Sequence, residues 1–288
     1  MTTTATIECL SETLGPLTHM SGTVGNQAIL AVEPVLTRSG ERLVPFLSGN
    51  ALRHSAVREP GMLWLIDQYD LAGNLSLDQL NFLLNGGNLT DSTAIENTRR
   101  IADMKRTWPL LRLLGGSLPD QILAGSMDVW RGSLICEENR ASLRRLDLPP
   151  ARLRPAQSFV GDYQYVRHDA VKSGIAAIAA TDAEGDAERQ SNLMMMAGQA
   201  VQKGAVFHHG FVCKHVSDLE LGALFWSLRL WQAAGGTIGG QASRGHGRLK
   251  CRVISGSRLN HKKLVDQYVT YAIGIREEAV AWLNEAWG

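Results

Sequence analysis

The residues of this chain with evident chemistry crowd into two stretches. In the first, Gly235 to Lys250 (GGTIGGQASRGHGRLK), six glycines stand beside Arg244, His246, Arg248 and Lys250. A glycine has no side chain to hold a ligand off, so backbone N–H groups there can approach an anion closely, and adjacent cations add attraction. This is phosphate-binding chemistry. Glycine composition by itself favours an ordinary turn, and the flanking elements must decide. In the second stretch, Leu146 to Lys172, Arg152, Arg154, Arg167 and His168 interleave with Tyr163 and Tyr165. Rings so placed can stack on unpaired bases while the cations meet phosphates. The same composition equally fits a surface hairpin whose tyrosines pack on the body of the protein.

Composition restricts what these stretches can serve. A 288-residue chain with 44% hydrophobic residues has material for one large domain or two small ones, and its formal charge is only +1. It lacks the global positive field of many nucleic-acid binders, so polyanion affinity must come from local clustering. Such a cluster exists: Leu221 to Val265 holds eight Lys or Arg residues and no Asp or Glu. The four cysteines, Cys9, Cys136, Cys213 and Cys251, show no CxxC or Cys/His metal spacing. A zinc or disulfide framework is therefore not expected, nor is any other metal or cofactor. MTTTATIECL lacks the charge and apolar run of a signal peptide, and no segment has the length of a membrane span. These features predict a soluble, cytoplasmic protein with no membrane partner.

The elements that must position the two stretches follow from pattern. Residues 5–14 read as a first strand broken at Gly15-Pro16, Leu17 to Gln27 as a polar connection, and Ala28 to Thr37 as a strand that Pro34 puts at a sheet edge. Leu43 to Leu47 is a strand end leading into a helix capped by Ser48 or Asn50, with Arg53 and Arg58 projecting near its first turns. Helical character holds to Leu118, with starts at Ser76 to Gln79 and at Thr93 to Glu96, and a basic run from Arg99 to Arg112 read as a solvated face. Ile122 to Cys136 reads as paired strands around Arg131-Gly132. Residues 181–190 read as an acidic mobile loop, and Met194 to Met196 as core filler. Ala205 to Val216 is a strand that sends His208 and His209 to opposite faces, so the two cannot share one metal. Ser217 to Glu220 opens a capped helix that stops at Gly235-Gly236, and Gly247 to Ser255 is a half-buried strand with a basic outer face. One helix over 259–287 closes the chain.

Strand 5–14 with helix 49–58, and strand 205–216 with helix 217–234 and strand 247–254, make the two halves of a split βαβ unit. The fold class is therefore α+β, with a ferredoxin-like, RRM-like core and two insertions, a fold that specifies no function by itself.

At Phe46 to Arg53 (FLSGNALR) the chain resembles the strand-to-helix signature I-P-G-S-S-L-K/R of the RAMP superfamily of CRISPR-associated proteins, and Gly235 to Lys250 is similar to its C-terminal glycine-rich loop. The layout is most like the Cas-seven-type backbone subunits of type IV effector complexes. That resemblance implies a palm of residues 1–59, 119–136 and 201–288, a helical finger over 60–118, and a thumb with a mobile loop over 137–200. It implies a guide RNA (crRNA) partner contacted by His19, Ser21, Ser48, Asn50, Arg53, Arg58, Arg152, Arg154, Tyr163, Tyr165, Arg167, His168, Gln241, Ser243, Arg244, His246 and Arg248. Further implied partners are copies of the chain in a helical filament, a large subunit, Cas-five-like and Cas-six-like subunits, a helicase, and a target nucleic acid, DNA ahead of RNA. The sequence departs from the signature where His54 replaces a glycine and where Arg58 falls one place later than the family's second arginine.

Type III relatives cut target RNA with an aspartate in the loop after the first strand. Here Leu17 to Asn26 offers His19, Ser21, Thr23 and Asn26 but no carboxylate, and Glu33 falls in the next strand, so no nuclease activity and no catalytic residue are expected. Two alternatives stay open. One is a target-RNA endoribonuclease with His19 or His246 as general base. The other is a metabolic enzyme holding a small phosphorylated substrate at the glycine-rich loop, although neither GxxxxGKS, GxxxxGKT nor GxGxxG occurs.

Overall fold

The computed structural model describes residues 2–25, 27–90, 97–146, 153–167, 194–255 and 259–287. Strand β1 (Thr3–Thr13) is its axis: Ile7, Cys9, Ser11 and Thr13 alternate inward and are buried. On one side it pairs antiparallel with β12 (Val206–Val216), and on the other with β13 (Leu249–Val253). A seven-stranded sheet runs β13-β1-β12-β9-β5-β4, where β9 is Gly132–Leu134, β5 Gly40–Leu47 and β4 Val32–Thr37, and β8 (Met127–Val129) joins β12 off this path. The strands expected to pair around Arg131-Gly132 do not pair with each other. Both β8 and β9 pair with the long β12, and Trp130 crosses between them over Gly210, where a β-carbon would fall 2.7 Å from its ring. Pro34 lies in the edge strand β4, where its missing N–H leaves no ladder bond broken.

A smaller sheet runs β10 (Val160–Arg167), β11 (Met194–Val201), β3 (Gln27–Leu30), β2 (Met20–Val24), and β6 (Gly116–Ser117) pairs only with β7 (Ile122–Leu123) among the described residues. The Pro-rich stretch thus becomes a regular strand from Val160. The connection read over Leu17 to Gln27 contains strand β2, which has both faces exposed and so shows none of the alternation that burial imposes. Ala28 to Thr37 is not one strand either. It breaks at Ala31, so that β3 serves the small sheet and β4 the large one. Met195 is 61% exposed on β11 and is not core filler. The acidic 181–190 segment lies outside the described residues.

After β5 comes one helical run: α1 (Gly49–Leu52), a π-helical stretch (Arg53–Arg58) and α2 (Glu59–Gln68). Ser48 caps it, its Oγ accepting from the Ala51 N–H at 3.1 Å. Pro60 cannot donate to the carbonyl four residues back, and its ring crowds that carbonyl, which favours the wider π register before it. Arg58 does not project into solvent. It is 5% exposed and donates to the carbonyls of Phe82 (3.2 Å), Leu83 (3.1 Å) and Gly115 (2.7 Å), tying the end of α3 (Leu77–Asn85) to the end of α5 (Pro109–Leu114). Burial, then the neighbouring Arg53, pulls its guanidinium down to about 10.

The capping box Ser76/Gln79 and the left-handed Gly86 delimit α3 as its sequence predicts. The box expected at Thr93 to Glu96 lies outside the described residues, and α4 (Thr98–Thr107) starts from the Asn97 cap. Three cations of α4 and α5 are paired, Arg100 with Asp120 at 2.8 Å, Arg106 with Glu278 and Arg112 with Glu220 at 3.8 Å, while Arg99 and Lys105 stay on the exposed face. Helix α6 (Asp218–Ala233), with its Ser217/Glu220 capping box, packs against α2, α5 and α7 (His261–Gly274). The expected single C-terminal helix is two. After the poor helix former Gly274, α8 (Arg276–Glu285) turns back over α4, and Ala279 takes the Trp108 indole N–H at 2.9 Å. The result is a mixed α+β fold whose sheets are antiparallel except at the parallel β11–β3 pair. Among the described residues no helix is long and apolar enough to cross a membrane.

Arg58→Met keeps an apolar stem and removes the donors for three carbonyls. It is expected to lower stability by about 3 kcal/mol, read as a shifted urea midpoint at unchanged slope.

Candidate nucleic-acid interface

The glycine-rich segment leaves α6 and returns as β13, and much of its backbone is already engaged with the protein. The N–H groups of Gly235, Gly236, Ile238, Gly240, Arg244, Gly245, His246 and Gly247 already donate to protein carbonyls. Gly240 N–H reaches Thr18 (2.9 Å), Gly247 N–H reaches Pro16 (2.7 Å), and the Arg248 carbonyl accepts from Leu14 N–H (2.8 Å), so the segment is stitched to the chain leaving β1. Two of its glycines are there for this packing. At Gly236 and Gly247, with φ of +64° and +78°, a β-carbon would sit 2.2 Å from the Leu249 and Ile238 carbonyl oxygens. What the segment offers a ligand is side chains, displayed around the short turn Ala242–Arg244.

Those side chains meet the second stretch. Gln241 Nε2 donates to the Tyr163 hydroxyl at 2.8 Å, His246 stands edge-on to the Tyr163 ring at 5.3 Å, and the Arg244 guanidinium lies 4.1 Å over the Tyr165 ring. Tyr163 and Tyr165, alternate residues on one face of β10, are parallel within 7° at 6.2 Å between ring centroids. The tyrosines therefore do pack on the body, as the plainer sequence reading had it, and what they pack on is the glycine-rich segment. His246 Nδ1 lies 2.6 Å from Thr18 Oγ1, and next in the chain His19 Nε2 accepts from the Ser48 N–H at 3.1 Å. From Ser48 the surface continues into a cavity of about 330 Å³ lined by Gly49, Asn50, Arg53, Val129 and Arg131, and Asn50 and Arg53 also line a second of about 590 Å³.

Protonation follows from these contacts. Because His19 Nε2 accepts a hydrogen bond, the ring is neutral with its proton on Nδ1, and burial holds its pKa below the ordinary histidine value. Burial, then Arg244, lowers His246 likewise. Burial also lowers Arg53, with Asp128 opposing. The charge along this surface at neutral pH is thus arginine charge, and the histidines act as hydrogen-bonding and stacking groups.

Of the residues singled out in sequence, His19, Ser48, Asn50, Arg53, Tyr163, Tyr165, Gln241, Arg244 and His246 form this continuous path. Ser243 and Arg248 are exposed beside it, Ser21 stands on β2, Arg154 precedes β10, and Arg58 faces inward. Arg167 is placed by its backbone in β10, while Arg152 and His168 lie outside the described residues. Sequence reasoning missed Thr18 and Arg131. Arg131 sits 4.5 Å over the Phe46 ring and pairs with Glu33 at 2.6 Å, and its Arg-Gly dipeptide signals only a turn.

No family profile and no curated protein matches the chain. Its fold is nevertheless that of a chain found in a CRISPR complex. The solved structure is titled "Type IV-B CRISPR Complex"; the two chains share 13% identity and a TM-score of 0.58, over 88% of this chain and 92% of that one. The likeness to type IV effector proteins expected from sequence is borne out in the fold.

His19 has a folded-state pKa below its unfolded value, so its contribution to stability is complete above the ordinary histidine value and is lost as pH falls through the lowered one. The stability difference between wild type and His19→Phe, measured by denaturant titration, should be larger at neutral pH than at about pH 5. Gly247→Ala should lower the unfolding free energy from urea titration by about 2 kcal/mol, whereas Gly245→Ala, where a β-carbon meets nothing within 4 Å, should cost about 1 kcal/mol.

Proposed function

We propose that this protein is a guide-RNA-binding backbone subunit of a CRISPR effector complex, which lines up copies of itself along the RNA and presents it for pairing with a target nucleic acid. The observation that carries the reading is the path from Arg244 and Tyr165 to Arg53. Cations, stacked aromatic faces and polar groups alternate along it, as an extended single strand requires and a small phosphorylated metabolite does not. The fold likeness adds support. In this reading residues 1–59, 119–136 and 201–288 are the palm, 60–118 the finger, and 137–200, with the β10–β11 arms, the thumb. The other partners are the capping and large subunits of such a complex.

The subunit works by occupancy, without nuclease chemistry. Glu33, the acidic residue next along the chain from the region where type III relatives carry their aspartate, is paired with Arg131. Both histidines of the path are engaged through a ring nitrogen by Ser48 or Thr18.

Recombinant protein titrated with labelled single-stranded RNA at several salt concentrations tests this. Affinity should fall steeply with salt, Arg53→Glu and Arg244→Glu should each lower the slope of log affinity against log salt by about 1, and both should shorten RNA-dependent assemblies. Unchanged affinity and assembly length in both variants would refute the proposal. Regularly spaced cuts in a complementary RNA with magnesium would replace it with the endoribonuclease.

A further inference from the structure

Beneath the helices, away from the proposed RNA path, the register of three strands brings together residues far apart in sequence. Cys9 on β1 stands opposite His209 on β12, and Ser11, two residues on, stands opposite Cys251 on β13. The thiol sulfurs of Cys9 and Cys251 and a ring nitrogen of His209 all lie within 4.8 Å of one another, with Cys9 and His209 fully buried. Ser11 Oγ holds the His209 Nε2 at 2.8 Å, while the buried Nδ1 has no hydrogen-bond partner among the described residues. A buried imidazole so placed is incompletely satisfied, and buried polar groups of that kind call for an explanation.

We propose that Cys9, His209 and Cys251 form a zinc site that clasps β13, β1 and β12 together. Two thiols and an imidazole are the donor set that zinc prefers, and bonds of about 2.3 Å to sulfur and 2.0 Å to nitrogen set ligand atoms roughly 3.5 Å apart in a tetrahedron. With no ligand pair more than 4.8 Å apart, the atoms need to close by at most about 1 Å, within reach of small side-chain rotations. Ser11 fixes the ring orientation of His209 from outside the ligand set, and the fourth position falls to a water. A cavity of about 350 Å³ between α6, α7 and β13 has Cys251 in its wall beside Gln232 and Val265, and gives the ion a route in. The clasp has a purpose in this fold. β13 is an edge strand and the return limb of the glycine-rich segment, already held by Gln232, whose Oε1 accepts from the Cys251 N–H at 2.9 Å. A metal at Cys251 would lock that limb to the centre of the sheet. The cysteine spacing gives no sign of this, because strand register and not local sequence assembles the three ligands.

The test uses the full chain, purified reduced and metal-free and titrated with cobalt(II). A thiolate-to-cobalt charge-transfer band should grow to saturation at one equivalent, vanish on adding zinc, be absent in Cys251→Ser, and persist in Cys136→Ser, whose thiol lies outside the cluster. Should Cys251→Ser fail to fold, alkylation of the wild type read by mass spectrometry decides. Zinc should protect Cys9 and Cys251 while leaving the rates at Cys136 and Cys213 unchanged. No cobalt band in the wild type, a band retained in a folded Cys251→Ser, equal alkylation of Cys9 and Cys251 with and without zinc, or a Cys9–Cys251 disulfide in their place would each overturn the proposal.

Discussion

The hydrogen bonds between the glycine-rich segment and the chain leaving β1 are the constraint on which the rest of the surface depends. Leu14, Pro16 and Thr18 give or receive one backbone bond each from Arg248, Gly247 and Gly240, and Thr18 adds a side-chain bond to His246. Without this stitching a segment so rich in glycine would sample many conformations, at an ordering cost of about 1–2 kcal/mol for each residue to be fixed. With it, Gln241, Arg244 and His246 become a rigid platform against which Tyr163 and Tyr165 settle. The same short length of chain, through His19, reaches Ser48 at the cap of α1, so two regions distant in sequence are set in one frame.

This constraint changes what the glycines are for. Five of the six spend their own N–H on protein carbonyls instead of leaving it for an anion. Gly236, Gly239 and Gly247 let carbonyls approach where any side chain would collide, and in the proposed interface the ligand chemistry passes to side chains. A surface that works through guanidinium groups and aromatic faces suits an extended strand of varied sequence, since phosphates and base faces recur whatever the bases are. The neutral histidines fit the same logic, bonding to protein groups and adding stacking area without adding charge.

The sequence carried the local signals well and the long-range ones poorly. The Ser217/Glu220 and Ser76/Gln79 boxes, the stop at Gly86 and the basic-out alternation of β13 are written in neighbouring residues and appear as read. Strand β2 was illegible because neither of its faces is buried. The partners of β8 and β9 were misread because pairing with β12 depends on distant chain. Arg58 looked like a surface cation because its three acceptors lie in α3 and α5, brought near only by tertiary packing. The Cys9, His209 and Cys251 cluster escaped for the same reason. For the proposed interface, residue types single out two segments that the fold brings together, but their convergence depends on the Thr18 hydroxyl and backbone bonds, which leave no mark in composition.

The most direct measurement of the proposed interface is ultraviolet cross-linking of the full chain to single-stranded RNA, with cross-linked residues located by mass spectrometry. Side-chain recognition along the described path predicts adducts concentrated on Tyr163, Tyr165 and His246. Adducts on the basic face of α4, around Arg99 and Lys105, with none on the tyrosines or His246, would contradict it.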